Sequence, residues 1–455
     1  MPQFFTTLLH RLRVRDGDIQ SLCRQLISQR GEVTQTALAQ RIIELYRTMD
    51  SHQRLDFFNM LVGEFGSDQL AIQQTFEQHW HNPTPSSATA LFKVIEPPRQ
   101  ELFRRMNTGH RGTETLVAMR GDLLRVLSDQ PQLEVIDADL KHLFRSWFNR
   151  GFLRLERIGW HTSALILEKL IEREAVHEIN GWPDLRRRLA PDRRCFAFFH
   201  AALPDEPIIF IEVALTRGLA QRLAPLLEIS SPIQCPDDAD TAIFYSINNC
   251  LHGLRGVPFG NFLIKQVVDE LGAELPKIKR FSTLSPMPYF AQALLDHRRF
   301  ARERLGRLLD DFSAGLKSES GCSEPVEALF QLLHDDPTRH IEALSGPLRR
   351  LALVYLTFRI EDKLFDPVAA FHFSNGARLE SINPFANLKP YGLKESFGMM
   401  VNYGYRSHQV EENHEQFVRS GEIRLSGHLR SERELAAQLW EGDAPRRTKK
   451  HAQSR

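Results

Sequence analysis

Residues 251–290 read LHGLRGVPFGNFLIKQVVDELGAELPKIKRFSTLSPMPYF, and this stretch decides the fold of the second half of the chain. It is preceded at 241–247 by TAIFYSI, a run of β-branched and aromatic residues that predicts a strand. Gly253, Gly256 and Gly260 then punctuate the chain ahead of Phe262, Leu263, Val267 and Leu271, whose spacing predicts an amphipathic helix. A strand, a glycine turn and a helix form the arrangement in which backbone N–H groups converge on a phosphate, with partial positive charge added by the helix N-terminus. A short strand over 281–284 then delivers Ser285, and Pro286 and Pro288 fix the exit. A hydroxyl at a strand end therefore stands close in sequence to a candidate phosphate cradle.

Outward from this stretch, 455 residues exceed what one compact core organises, and two or three domains are expected. Hydrophobic residues make up 42% and charged residues 25%, as in an ordinary globular protein. A formal charge of +1 argues against a nucleic-acid protein that works by neutralising phosphates. No apolar run reaches the ~20 residues needed to span a bilayer, so no membrane partner is expected. The N-terminal arginines follow the apolar start, the reverse of a secretory signal. Five scattered cysteines fit reduced thiols in the cytoplasm, and none has metal-ligand spacing, so no metal is expected.

Residues 1–188 read as helix throughout, with Leu38, Ile42, Leu45 and Met49 on one face and Leu116, Met119, Leu123 and Val126 on another. This segment predicts a helical scaffold or assembly domain. The pattern changes at Pro191. CFAFFH at 195–200 and IIFIEVAL at 208–215 predict neighbouring strands, and Asn375-Gly376 between alternating runs predicts a hairpin. Residues 392–405 read as a loop and helix. A mixed α/β domain is expected over 189–442, followed by a basic, disordered tail at 443–455.

The candidate chemistry is modest when each residue is weighed alone. The glycine turn, with Arg255 positioned to meet a phosphate, reads on its own as an ordinary loop. A serine before proline is ordinarily a turn residue, although Ser282, Thr283 and Ser285 cluster here. His372 lies between Phe371 and Phe373, a setting more typical of a core histidine, yet it is the ionisable side chain best placed to act near neutral pH at a strand end. His177 and His252 are weaker candidates. Tyr405, in Asn402-Tyr403-Gly404-Tyr405, reads as packing. Spacing and composition lead to an α/β domain with a candidate phosphate cradle and name no reaction.

Taken together, however, RRCFAFFHAALPDEPIIFIEVALT from Arg193, INNCLHGLRGVPFGNFLIKQVVDEL from Ile247, FSTLSPMPYF from Phe281, DPVAAFHFSNGARLESIN from Asp366 and the NYGY run at Asn402 resemble the malonyl-CoA decarboxylase family. WFNRGFLRLERIGWHTSALILEKL from Trp147 and GWPDLRRRL from Gly181 extend the resemblance to roughly 140–425. It implies an α+β protein in which an N-terminal all-helical oligomerisation domain precedes a GNAT-like (acetyltransferase-type) mixed α/β catalytic domain. It implies that Ser285, His372 and Tyr405 are active-site residues, and that Gly253, Leu254, Arg255, Gly256, Val257, Gly260 and Asn261 hold the coenzyme A pyrophosphate. Pro258 stands where some members carry a glutamate near the malonyl group, so no carboxylate is expected from that position. The implied substrate is malonyl-CoA, the implied assembly a homo-oligomer. No separate cofactor is implied, because coenzyme A is part of the substrate. An acyl-CoA-dependent N-acyltransferase and a non-catalytic CoA-binding assembly protein are the alternatives.

Overall fold

The computed structural model describes residues 18–29, 31–257, 263–295, 308, 325–335, 341–360 and 363–441. Gly260, Asn261, Pro258 and Phe262, together with the tail at 443–455, lie outside them.

The chain opens with helices α1 (Ile19–Ser28), α2 (Glu32–Thr48), α3 (Ser51–Glu64), α4 (Gln69–His81), α5 (Pro85–Ile95), α6 (Pro98–Met106), α7 (Gly112–Val126) and α8 (Glu134–Trp147). Local chemistry starts several of them. Asp50 and Gln53 form a capping box at α3, and the Asp68 carboxylate accepts the first free N–H groups of α4. The predicted helical faces are real: Leu38, Ile42, Leu116, Met119 and Leu123 are buried, and Leu45, Met49 and Val126 pack against them. Hairpin α4–α5 differs, since neither helix buries a residue.

The all-helical reading of 1–188 fails at Leu153–Ile158, which is strand β1, paired antiparallel with β2 (Arg193–His200). Leu153 and Leu155 alternate with Arg154 and Glu156, a period of two that suits an edge strand with one wet face. Helices α9 (Ala164–Arg173) and α10 (Trp182–Arg188) follow β1.

The predicted strands at 195–200, 208–215 and 241–247 are β2, β3 (Ile209–Thr216) and β4 (Thr241–Asn249). With β5 (Arg280–Thr283), β6 (Ser285–Pro286), β9 (Arg378–Asn383) and β10 (Met400–Tyr405) they complete an eight-stranded sheet in the order β1-β2-β3-β4-β5-β10-β6, with β9 on β10. The short strands β7 (Arg359–Ile360) and β8 (Lys363–Leu364) pair separately. Among the described strands only β4 and β5 run parallel, and they stay paired from Thr241/Arg280 to Phe244/Thr283. Beyond that point β4 continues along β3, while the chain after Leu284 leaves the β4 ladder and continues along β10, on which β5 already lies. The sheet therefore splays beside Ser285. Helix α11 (Leu263–Glu274) connects the two diverging strands and buries Leu263, Val267 and Leu271, as its spacing predicts.

Two further expectations are corrected. Residues 366–376 are not one arm of a hairpin: Pro367–Ser374 is helix α12. Asp366 caps it, Pro367 takes the first position where a missing N–H costs nothing, and Gly376 ends it at φ +78°. An Asn-Gly pair serves a helix end as well as a hairpin, because both need a residue at positive φ. Residues 400–405, expected in a loop and helix, form β10, whose two edges pair with β5/β6 and with β9.

One continuous apolar core runs from the helical domain into the sheet face that carries Val401, Tyr403 and Tyr405. Its seam is tight. A Cβ on Gly253 would stand 1.8 Å from the Val117 carbonyl of α7. The buried Arg120 of α7 pairs with Asp137 and donates to the carbonyls of Gly253 (2.6 Å) and Arg255 (2.9 Å). The glycine turn is thereby fastened to the helical domain.

Gly376 tests how α12 is held. Gly376→Ala forces a side chain into positive φ and places Cβ 2.0 Å from the Val410 carbonyl. It is expected to destabilise the fold by more than about 1 kcal/mol and to lower the thermal midpoint; an unchanged midpoint contradicts this account of the turn.

Candidate active site

Strand β10 is the base of the site. Val401, Tyr403 and Tyr405 alternate onto one face, and Ser285, paired with Val401, shares it. The ladder is irregular here on both edges. On one side, the register against β9 shifts between Asn402 and Tyr403. On the other, β5 and β6 are separated at Leu284. Side chains fill the gap: the Tyr403 N–H donates to Thr283 Oγ1 (3.1 Å), and Asn402 Nδ2 donates to the Thr283 carbonyl (2.6 Å). Such breaks re-aim side chains next to functional sites.

Onto this face α12 lowers His372 from its last turn. His372 Nε2 lies 3.0 Å from Ser285 Oγ, and Nδ1 lies 2.8 Å from the Tyr405 hydroxyl. The Tyr403 ring stacks on the imidazole with centroids 4.3 Å apart. Ser285 Oγ in turn donates to Thr283 Oγ1 at 2.9 Å. The structure thus brings together the three predicted residues, Ser285, His372 and Tyr405, although His372 belongs to a helix rather than a strand end. Both ring nitrogens are thus engaged, one by Ser285 and one by Tyr405, so a neutral ring donates to one hydroxyl and accepts from the other.

Burial sets the electrostatics. His372 is pushed down from 6.5 to about 3 by desolvation, and burial raises the Tyr405 phenol well above its ordinary value. The residue that starts α12, Asp366, is fully buried; its carboxylate accepts the Ala369 N–H (2.7 Å) and the Tyr355 hydroxyl (2.8 Å). Desolvation still raises it to about 6. The resting site is therefore a neutral hydrogen-bonded chain in low-dielectric surroundings, and its hydroxyl groups are donors suited to an oxyanion.

The glycine turn is less open than the sequence suggests. Its Leu254, Arg255 and Val257 N–H groups are donated within the turn, to the carbonyls of Leu251, His252 and Leu254. Gly253 serves close packing, and Gly256 adopts positive φ (72°). His177 is a buried core residue, held at about 3 mainly by burial. Tyr403 and Asp366 belong to the site but were not singled out from sequence, and Thr283 was noted there only for clustering with Ser285. Asp-Pro as a helix start and the two-residue spacing of the tyrosines are the signals that point to Asp366 and Tyr403. Among the described residues, no group of three or more His, Cys, Asp or Glu side chains is placed to hold a metal ion.

The depressed value of His372 has a definite sign. The fold favours the neutral ring, so His372 contributes stability that is present above 6.5 and lost as pH falls toward about 3. The ring is expected to stay neutral from pH 8 to pH 5 by nitrogen NMR; a protonation midpoint near 6.5 contradicts it. A second expectation concerns Thr283→Val, which leaves the buried Tyr403 N–H without its acceptor and should cost about 1–3 kcal/mol by denaturant unfolding. An unchanged unfolding free energy contradicts that role.

With this geometry in view, similarity to known proteins is informative. The family model for the malonyl-CoA decarboxylase C-terminal domain matches residues 151–443, and that for the N-terminal domain matches 65–148. The boundary between them falls just ahead of β1. The mitochondrial malonyl-CoA decarboxylase of Anser anser anser is 34% identical over 406 residues, 84% of this chain and 81% of the relative. The Rattus norvegicus protein of the same name is 32% identical over 409 residues, again 84% of this chain and 82% of the relative. The crystal structure of malonyl-CoA decarboxylase from Rhodopseudomonas palustris superposes with a TM-score of 0.83 at 40% identity, covering 91% of this chain and 98% of that one. That from Agrobacterium vitis gives 0.80 at 42% identity, covering 92% and 100%. A helical domain leading into a mixed sheet, matched along nearly its whole length, shows that the chain belongs to the malonyl-CoA decarboxylase family.

Proposed function

We propose that this chain is a carboxy-lyase converting malonyl-CoA to acetyl-CoA and CO2, with Ser285 and His372 acting on the malonyl group. The observation that carries the roles is the hydrogen-bonded chain Tyr405–His372–Ser285 on one face of β10. As the bond from the α-carbon to the carboxylate breaks, its electron pair moves into the thioester and CO2 leaves. The enolate then takes one proton at carbon. Donors aimed at the thioester oxygen stabilise the transition state most, because that oxygen gains the charge. Ser285 supplies such a donor by turning its hydroxyl from Thr283 to the substrate.

The proton follows from the buried imidazole. In the free enzyme, burial denies His372 a positive charge. The malonyl carboxylate supplies the missing counter-charge, the ring takes a proton from solvent, and the enolate receives it through the Ser285 hydroxyl. Tyr405 orients the ring. The electron pair left by departing CO2 is taken up by the thioester itself, so no acyl transfer is needed and the direct route is proposed over a covalent acyl-serine. The thioester is the electron sink, and no separate cofactor is proposed. For the coenzyme, the Arg255 side chain and the Gly256 N–H are the proposed pyrophosphate contacts from the described part of the turn; Gly260 and Asn261, also expected there, lie outside the described residues.

No helix among the described residues is long and apolar enough to cross a membrane. A cytoplasmic setting is proposed on the four thiols that are free among those residues, Cys23, Cys195, Cys235 and Cys250. Assembly through the helical domain is proposed on hairpin α4–α5, where Trp80 and Phe92 are 72% and 71% exposed beside Leu70, Phe76 and Ile95. A second copy of the chain is the proposed cover.

Ser285→Ala and His372→Asn are each expected to fold and to lose roughly 10²–10³-fold in turnover, the scale of one lost oxyanion donor. Release of CO2 from malonyl-CoA without any amine acceptor is expected, and dependence on an acceptor would instead mark an acyltransferase. Mass spectrometry during turnover is expected to find no acyl group on Ser285. For assembly, light scattering of a Trp80→Glu/Phe92→Glu variant should show a smaller species than wild type; a monomeric wild type contradicts the proposal.

A further inference from the structure

A cavity of about 690 Å³ lies on the sheet face opposite His372, bordering the apolar cluster that includes Leu226 and Met400. Four arginines line it: Arg187, Arg193, Arg217 and Arg222. Among the described residues, only two carboxylates, Asp192 and Asp238, face them. Arg217 is taken by Asp238. Asp192 is shared by two buried guanidiniums, Arg187 at 2.8 Å and Arg193 at 3.0 Å. These three side chains are 5%, 1% and 4% exposed in chain order, so one buried positive charge has no counter-ion of its own. The Nε atoms of both arginines are also buried without a hydrogen-bond partner. Arg222, at the rim, forms neither an ion pair nor a hydrogen bond among the described residues. Isolated buried charge is costly, and a folded protein that carries it gains when an anion enters.

We propose that this cavity is a binding site for a small oxyanion of at least two negative charges, of the phosphate or dicarboxylate class. Guanidinium groups present planar donor forks that match both classes. The volume is that of a small-molecule site. Burial, followed by the proximity of Arg187, holds Arg193 below the usual arginine range, which is consistent with a charge awaiting its partner. The site is separate from the Ser285 face but is joined to it. Ala220 lines the cavity, and its carbonyl accepts from Asn402 Nδ2 (3.0 Å), the same amide that holds the Thr283 carbonyl.

The test is calorimetric titration of the whole chain with inorganic phosphate and with succinate at constant ionic strength, with chloride as the control. Saturable binding of one anion per chain is expected. Tighter phosphate binding marks a phosphoryl ligand, and tighter succinate binding marks a dicarboxylate. Arg217→Ser and Arg222→Ser, both exposed and outside the core, are expected to fold and together weaken binding at least tenfold, whereas Ser285→Ala binds as wild type does. No saturable binding of either anion, a chloride response of equal size, or undiminished affinity in the double arginine variant overturns the proposal.

Discussion

The hydrogen bond between Ser285 and His372 ties an interrupted strand to the last turn of a helix, and the rest of the domain is arranged to make those two ends meet. Strand β10 does most of this. It pairs on both edges, yet at Asn402 and Tyr403 the pairing is irregular on each side. Thr283 replaces a ladder bond with its hydroxyl, and Asn402 replaces one with its amide. The backbone groups are satisfied, and the strand after Leu284 is free to leave β4 and present Ser285 beside Val401. A shift of one residue in this register would send Ser285 to the opposite face. Helix α12 answers from above, started by the buried Asp366 and stopped by Gly376, so that its single histidine falls over the tyrosines.

Burial then gives these groups their chemistry. A serine, an imidazole and a phenol in water are weak donors that compete with solvent. Enclosed together they keep a continuous hydrogen-bonded chain, and each hydrogen bond is electrostatically stronger than in water. The same enclosure disfavours charge on His372 in the free protein, and the proposed mechanism relies on the substrate carboxylate to reverse this. The helical domain contributes to this enclosure. Its Arg120 holds the carbonyls of Gly253 and Arg255, so the turn proposed to meet the coenzyme is built against α7 rather than free in solvent.

Much of the scaffold was legible in the residues. The strands at β2, β3 and β4 are compact apolar runs between turn signals, and α11 follows its apolar spacing. What escaped was decided by pairing or by ambiguity. Strand β1 is short and half wet, and among helices its alternation is easily overlooked. Asn375-Gly376 suits a helix end and a hairpin alike, and only Asp366-Pro367 separates the two. Residues 400–405 form a strand because two partners flank them, a fact that local propensity does not contain. Ser285, His372 and Tyr405 came from family resemblance, since each alone reads as turn or core. The meeting of Ser285 and His372 across 87 positions of chain is tertiary information. The bare glycine cradle was partly misleading, because three of its N–H groups are spent inside the turn.

The central claim is that Ser285 and His372 work as one unit on the malonyl group. Turnover of malonyl-CoA by Ser285→Ala, His372→Asn and the double variant measures this most directly. The account predicts a double variant about as slow as the slower single variant, because removing either residue already disables the pair. Losses that multiply, as for two independent groups, would contradict it.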